Sequence, residues 1–150
     1  MNSNNWNTWR TYLEELADPQ FVDTSNLLSK TSLPEDIWTK NQQLNPEILQ
    51  AALKIANEYF DDLKLDPNIK IKDITLTGSL ASYNWSEMSD FDLHILIDFN
   101  DLKDKELFKD YLSQKSRLWN MLHKILFKGY EVEIYVQDTN EPHYSAGVYS

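Results

Sequence analysis

The sequence predicts an α/β domain, α+β by strict class, with a small, mixed, twisted β-sheet and helices packed mainly on one face. Three observations predict it. Helical and strand-like hydrophobic periods alternate along the chain, no internal repeat interrupts them, and 150 residues with a 41% hydrophobic fraction suffice for one core. We therefore expect a single domain over residues 1–150, with an N-terminal helix and wrapping segment at 1–44 and the sheet with its main helices at 45–150.

Composition narrows the classes of function. Lys and Arg number 14 and Asp and Glu number 24, so the net charge is −10. Because affinity for nucleic-acid backbones rests on Lys and Arg, general binding of duplex nucleic acid is not expected. The absence of cysteine excludes disulfides, thiolate metal sites and a cysteine nucleophile. No apolar run approaches the ~20 residues of a membrane span, and the N-terminus lacks a signal-peptide core, so we expect a cytoplasmic protein without a membrane partner.

Both ends of the chain carry weaker signals. Apolar residues at spacings of three and four predict a helix over residues 6–17, ended by Asp18 and Pro19. Residues 18–44 mix polar residues with isolated apolar ones, which predicts an irregular wrapping segment with short turns. Residues 147–150 look like the start of a further strand, so we expect the sequence to be a fragment of a longer chain.

The next helix is predicted to begin at Asn45 and Pro46, because asparagine caps helix N-termini and proline suits the first helical position. A wide apolar stripe continues it to about residue 63. A turn at 66–68 follows, and alternating apolar residues over 70–77 then predict the first strand.

Two further strands flank a predicted long helix. The second strand covers 91–98, and the helix covers 102–128, capped at residues 100–101 and stopped by Gly129. Residues 130–137 alternate apolar and polar side chains and predict the third strand.

The central motif joins the first two strands. Gly78 and Ser79 end the first strand, and ten residues separate Ser79 from Asp90. Alternate side chains of a strand share a face, so Asp90, Asp92 and His94 are expected to point the same way. His94 either touches substrate or, the preferred alternative, makes a structural hydrogen bond. Two carboxylates so close repel each other and resist burial as a bare pair. A divalent cation relieves both effects, and hard oxygen ligands suit Mg²⁺.

The third strand supplies a further acid. Glu131, Glu133 and Tyr135 share one of its faces. Three acids on neighbouring strands can hold two Mg²⁺ ions, as phosphoryl transfer often requires. Glu133 is preferred as the third acid because apolar residues flank it in mid-strand, but Glu131 lies on the same face and stays an alternative.

The Gly-Ser turn has a matching role in binding phosphate. Glycine lets a backbone approach a phosphate closely, and the Ser79 hydroxyl, with N–H groups at the start of a following helix, can cradle it. In the loop before the acids, Ser89 either contacts nucleotide or caps a turn, and Trp85 either stacks on a base or packs against the N-terminal segment.

Together these motifs resemble the polymerase-β-like nucleotidyltransferase superfamily over roughly residues 70–137. The matching segments are Leu76-Thr77-Gly78-Ser79, Ser89-Asp90-Phe91-Asp92-Leu93 and Val132-Glu133-Ile134. The wider sequence is also similar to uncharacterised nucleotidyltransferases of bacteriophage type.

The resemblance implies a role for each motif. Gly78 and Ser79 would bind the phosphates of a nucleoside triphosphate, Asp90 and Asp92 would hold both Mg²⁺ ions (or Mn²⁺), and Glu133 would complete the ion beside the acceptor. Residues 45–150 would then be a catalytic core.

The expected activity is transfer of a nucleoside monophosphate from an NTP to an acceptor, with release of pyrophosphate. The acceptor (small molecule, protein or RNA) and the oligomeric state are not indicated by the sequence. The alternative is a catalytically silent nucleotide-binding or protein-interaction module with the same fold.

Overall fold

A computed structural model describes residues 30–142 of the chain. The predicted helix at 6–17, most of the N-terminal half of the wrapping segment and the strand-like residues 147–150 lie outside this range. The two α-helices are α1 (Pro46–Asp62) and α2 (Lys105–Leu122), and the four strands are β1 (Ile71–Thr77), β2 (Phe91–Ile97), β3 (Leu126–Phe127) and β4 (Tyr130–Asp138).

The four strands form one mixed sheet in the order β1-β2-β4-β3. Strand β2 runs antiparallel to β1 and parallel to β4, and β3 is antiparallel to β4. The parallel pair needs a crossover connection, which contains α2. The described chain is therefore a small mixed α+β domain, as the hydrophobic periods predicted.

The start of α1 confirms its predicted cap. The Asn45 side chain accepts a hydrogen bond from the Glu47 N–H at 3.1 Å, and Pro46 occupies the first helical turn. The buried face is narrower than the predicted stripe, because Leu49 and Leu53 are each 40% exposed.

One buried apolar cluster joins both helices to the sheet. From α1 it takes Ile48, Ala52, Ala56 and Tyr59; from the sheet it takes Leu76, Phe91, Leu93, Ile95, Ile97, Val132 and Ile134; and from α2 it takes Leu112. Tyr59 also ties the helices together, because its hydroxyl shares a 2.9 Å hydrogen bond with Ser116 Oγ and its ring meets Trp119 edge-on at 5.7 Å.

Helix α2 begins later than predicted. Residues 99–101 form a short 3₁₀ turn instead of a cap, with the Asp98 side chain accepting from the Asn100 N–H. The helix cap is Asp104, whose carboxylate accepts from the Leu107 N–H at 3.1 Å.

Helix α2 also ends earlier than predicted, at Leu122 instead of residue 128. Lys128 and Gly129 have φ angles of +50° and +92°, and consecutive positive φ angles make a two-residue hairpin turn. Phe127 pairs with Tyr130 across that turn. Gly129 therefore lies in a hairpin turn and does not stop a helix. The apolar residues before it form β3, although their spacing also fits the helical period.

The described part of the wrapping segment, residues 30–44, is irregular as predicted. It contains turns and an isolated bridge between Trp38 and Leu44. Trp38 is buried, and its indole N–H donates to the Leu80 carbonyl at 2.7 Å. The segment is thus anchored behind the Gly-Ser turn. Neither helix of the described range is long and apolar enough to cross a lipid bilayer.

Candidate metal and phosphate site

The predicted site residues come together at one end of the sheet. Gly78 directly follows β1 and Asp90 directly precedes β2, and the two strands are antiparallel, so both residues lie at the same end. The strand register sets Thr77 opposite Asp92 and Asp92 opposite Glu133. The row of residues that crosses the three strands at this end therefore holds two of the three predicted acids.

Gly78 fits closely against Asp92. Its φ is +75°, a conformation that L side chains rarely adopt, and a Cβ built on it would lie 2.1 Å from Asp92 Oδ2. Glycine is thus needed both for its backbone conformation and for the space that the Asp92 carboxylate fills.

The two predicted serines join the turn to the following loop. The Ser79 hydroxyl donates to Ser89 Oγ at 2.6 Å, and Ser89 Oγ accepts from the Ser86 N–H at 2.9 Å. Ser89 therefore fastens the loop to the Gly-Ser turn. The predicted short helix is a 3₁₀ turn of three residues, Ser79–Ala81, so the turn lacks the dipole of an α-helix that would favour phosphate.

Asp92 is the most strongly perturbed acid of this end of the sheet. Its pKa is raised to about 6, first by burial, then by the negative charges of Glu133 and Asp90. Among the described residues, no positive charge and no hydrogen bond contributes to this shift in the pKa of Asp92. Ionised Asp92 is consequently held in a position that would be stabilised by a cation.

Asp90 is exposed but belongs to the same electrostatic group. Its pKa is raised by desolvation first and then by Glu133 and Glu131, and the positive charge of Lys124 lowers it. The acids of β2 and β4 therefore act on one another, as their positions on one face of the sheet predict.

Glu131 and Glu133 have different partners. Glu131 forms an ion pair with Lys124 at the surface. Glu133 accepts a hydrogen bond from the Tyr135 hydroxyl and raises the pKa of both Asp90 and Asp92. The two glutamates therefore differ: Lys124 partly offsets the charge of Glu131, and Glu133 acts on both aspartates.

The acids do not form a closed coordination set. Across residues 30–142, no three carboxylate or imidazole side chains are gathered closely enough to hold one metal ion. The chemistry of the donors nevertheless fits a divalent cation, because they are hard oxygens, and burial followed by mutual repulsion raises the pKa of Asp90 and of Asp92. The strands align Asp92 with Glu133.

His94 and Trp85 have structural partners. His94 Nδ1 is 2.9 Å from Gln137 Oε1, and its ring packs against Tyr135 with centroids 5.1 Å apart. The Trp85 indole N–H donates to the Ser32 carbonyl at 2.8 Å, and Lys30 Nζ lies 5.4 Å from its ring centroid. His94 has the predicted structural hydrogen bond, and Trp85 packs against the wrapping segment, one of the two alternatives.

Two residues of this site were missed from the sequence. Lys124 was placed within the predicted long helix, and only the early end of α2 brings it beside Glu131. The hairpin signal at Lys128 and Gly129 could have revealed this. Tyr135 was predicted to share a face with Glu133, but its hydrogen bond spans two residues of one strand and depends on a side-chain rotamer.

A cavity of about 600 Å³ lies near this end of the sheet. Its walls come from the wrapping segment, from the loop before β2 and from the hairpin turn: Ser32, Leu33, Pro34, Glu35, Asp36, Trp85, Glu87, Lys128, Gly129 and Tyr130. None of the predicted ligands lines it. The cavity and the carboxylates therefore share neighbouring segments of chain but are separate features.

Comparison with protein-family models, with curated proteins and with solved structures finds no match to this chain. The motifs and the geometry at this end of the sheet are therefore the observations that bear on function.

Proposed function

We propose that the chain is a metal-dependent nucleotidyltransferase, which moves a nucleoside monophosphate from an NTP to an acceptor and releases pyrophosphate. One observation carries the proposal: the strands align Asp92 with Glu133 and set Gly78 against Asp92 at the same end of the sheet. A phosphate-binding turn beside aligned acids is the arrangement that in-line phosphoryl transfer requires.

The proposed ligands are the three acids. Asp90 and Asp92 would hold Mg²⁺, with Mn²⁺ as an alternative, and Glu133 would complete the ion on the acceptor side. Bound Mg²⁺ supplies charge neutralisation for the triphosphate and the leaving pyrophosphate. The raised pKa of Asp92 supports this role, because a carboxylate that is desolvated by burial and crowded by other negative charges gains most from a bound cation.

The chain's own residues would orient the donor and remove a proton. The acceptor oxygen attacks the α-phosphorus, a new O–P bond forms, and the bond from the α-phosphorus to the β-phosphate oxygen breaks. Glu133 takes the acceptor proton. Gly78 leaves room for the Asp92 carboxylate beside the turn, and the Ser79 hydroxyl can turn from Ser89 to a phosphate oxygen.

Lys124 adds a positive charge that the motifs do not include. It is paired with Glu131 and also acts on the pKa of Asp90. In the proposed reaction it partly offsets the negative charge of the acids as the triphosphate approaches.

A pyrophosphate-release assay tests the proposal. The full chain is incubated with each of the four NTPs, with and without Mg²⁺, against pools of small-molecule, protein and RNA acceptors. We expect Mg²⁺-dependent release that Asp92→Asn abolishes and that Asp110→Asn, a change on the exposed surface of α2, leaves intact. Release that survives Asp92→Asn would contradict the assignment.

The second candidate is a catalytically silent module with the same fold. It is favoured by the open arrangement of the acids, because no three possible metal ligands lie close together among the described residues. Calorimetry with NTPs separates the two functions. Metal-dependent binding without pyrophosphate release would favour a nucleotide-binding module, and absence of binding would favour a protein-interaction domain.

A further inference from the structure

The hydroxyl of Tyr135 lies against the proposed proton acceptor. It donates a hydrogen bond to Glu133 Oε2, and the tyrosine side chain is 36% exposed. Its ring packs on His94 at a centroid distance of 5.1 Å and an interplanar angle of 39°. The phenol is thus fixed by its ring at one end and by Glu133 at the other.

The strand register explains how Tyr135 reaches the acids. Its Cα partner is His94, two rows along the sheet from the pair of Asp92 and Glu133. Side chains two residues apart on a strand share a face and are separated by roughly 6.6 Å, a distance that a tyrosine side chain can span. Tyr135 therefore leans back along β4 and brings its oxygen to the row of acids.

An acceptor hydroxyl in the proposed reaction must reach Glu133 to lose its proton. Tyr135 already makes this contact. The hydroxyls of Ser79 and Ser89, which also lie near the acids, bond to each other. The Tyr135 hydroxyl therefore lies where the hydroxyl of an acceptor would have to lie, within hydrogen-bond reach of Glu133.

We propose that the chain nucleotidylates itself on Tyr135, within one molecule. This inference rests on the proposed function, since it uses the same donor and the same acids. The Tyr135 oxygen attacks the α-phosphorus of the NTP, and an aryl phosphodiester bond forms. The bond from the α-phosphorus to the β-phosphate oxygen breaks, pyrophosphate leaves, and the phenolic proton passes to Glu133.

Labelling followed by peptide mass spectrometry tests this inference. The full chain is incubated with Mg²⁺ and each NTP labelled at the α-phosphate, and the modified residue is located. We expect one nucleotide on Tyr135, with complete loss of that label in Tyr135→Phe and in Asp92→Asn. Tyr135→Phe keeps the ring that packs on His94, so we expect this variant to retain the fold. Tyr111→Phe is the matched control, because Tyr111 is similarly exposed, at 39%, and lies on α2.

The kinetic order and the acceptor assay separate the outcomes. Reaction within one molecule gives a labelling rate per molecule that does not change with protein concentration, and a rate that rises with concentration would overturn the inference. Pyrophosphate release to an added acceptor, with Tyr135 unlabelled or with the label on another residue, would overturn self-modification and leave the transferase function standing. Absence of Mg²⁺-dependent release under every condition would overturn both.

Discussion

The carboxylate of Asp92 occupies the space that any side chain at residue 78 would need. A Cβ built on Gly78 would lie 2.1 Å from Asp92 Oδ2 and 3.1 Å from its Cγ. The end of β1 and the start of β2 are therefore packed together through the proposed metal ligand itself.

Gly78→Ala should destabilise the protein more than an ordinary glycine substitution. The alanine would be strained at φ +75° and would displace Asp92, so we expect a loss of roughly 2–4 kcal/mol in the free energy of unfolding. Gly129→Ala is the matched control, because it also has a positive φ but no atom within 4 Å of its built Cβ; its cost should be about 1–2 kcal/mol. Urea denaturation measures both, and equal losses would argue against the contact.

Asp92 should make stability depend on pH. Its pKa is about 6 in the folded chain and 3.8 as the ordinary value, so between these values the folded state binds more protons than the unfolded state. Stability should therefore rise as the pH falls through about 6 towards about 4. Asp92→Asn should remove this slope and stabilise the fold near neutral pH by roughly 1–2 kcal/mol, a range reduced for partial solvent screening. Denaturation across this pH range checks it, with Asp110→Asn expected to keep the wild-type slope.

Divalent cations should weaken that pH dependence. A cation at Asp92 favours its ionised form, which lowers its pKa and stabilises the folded chain by mass action. We expect Mg²⁺ or Mn²⁺ to raise the thermal midpoint near neutral pH and to raise it much less in Asp92→Asn. An equal rise in both proteins would place the cation elsewhere.

The two glutamates of β4 should differ in function. Glu133→Gln should lower kcat about 100-fold or more, because it removes the proposed proton acceptor. Glu131→Gln breaks only an exposed pair with Lys124, so activity and stability should stay near wild type. Steady-state kinetics on both variants decides the assignment, and a larger loss in Glu131→Gln would make Glu131 the third acid.

Asn120 should be important for the edge of β4. Its side chain donates to the Ile134 carbonyl at 3.0 Å and accepts from the Ile134 N–H at 2.8 Å, as a neighbouring strand would. Asn120→Ala should therefore cost roughly 1–3 kcal/mol of stability and speed hydrogen exchange at Ile134. Asn57→Ala, on the exposed side of α1, should change stability by less than about 0.5 kcal/mol. Unchanged exchange at Ile134 would mean that Asn120 does not protect this edge.

Local patterns were sufficient to predict most elements. The cap at Asn45 and Pro46, the turn at 66–68 and the alternation along 130–137 depend on neighbouring residues, and each matches the structure. The bounds of α2 could not be found in this way. The residues before Gly129 fit a helix and a hairpin equally well, and only pairing with β4 selects the hairpin.

The site was predicted in its residues but not in its contacts. Alternation along β2 and β4 placed Asp92, His94, Glu133 and Tyr135 on one face. The order of strands, the register and the rotamers then decide which side chains meet. Those long-range features account for the ion pair of Glu131 with Lys124 and for the hydrogen bond of Tyr135 to Glu133.

Strand β2 has a further consequence for how this chain can change during evolution. Phe91, Leu93 and Ile95 are at most 2% exposed, and the residues between them, Asp92 and His94, face the site. A slip or an insertion of one residue would exchange the two sets, exposing the apolar residues and burying the acids. The proposed site and the buried core are therefore inherited as one unit: this strand can change its exposed face by substitution at alternate positions, but not by a change in its length.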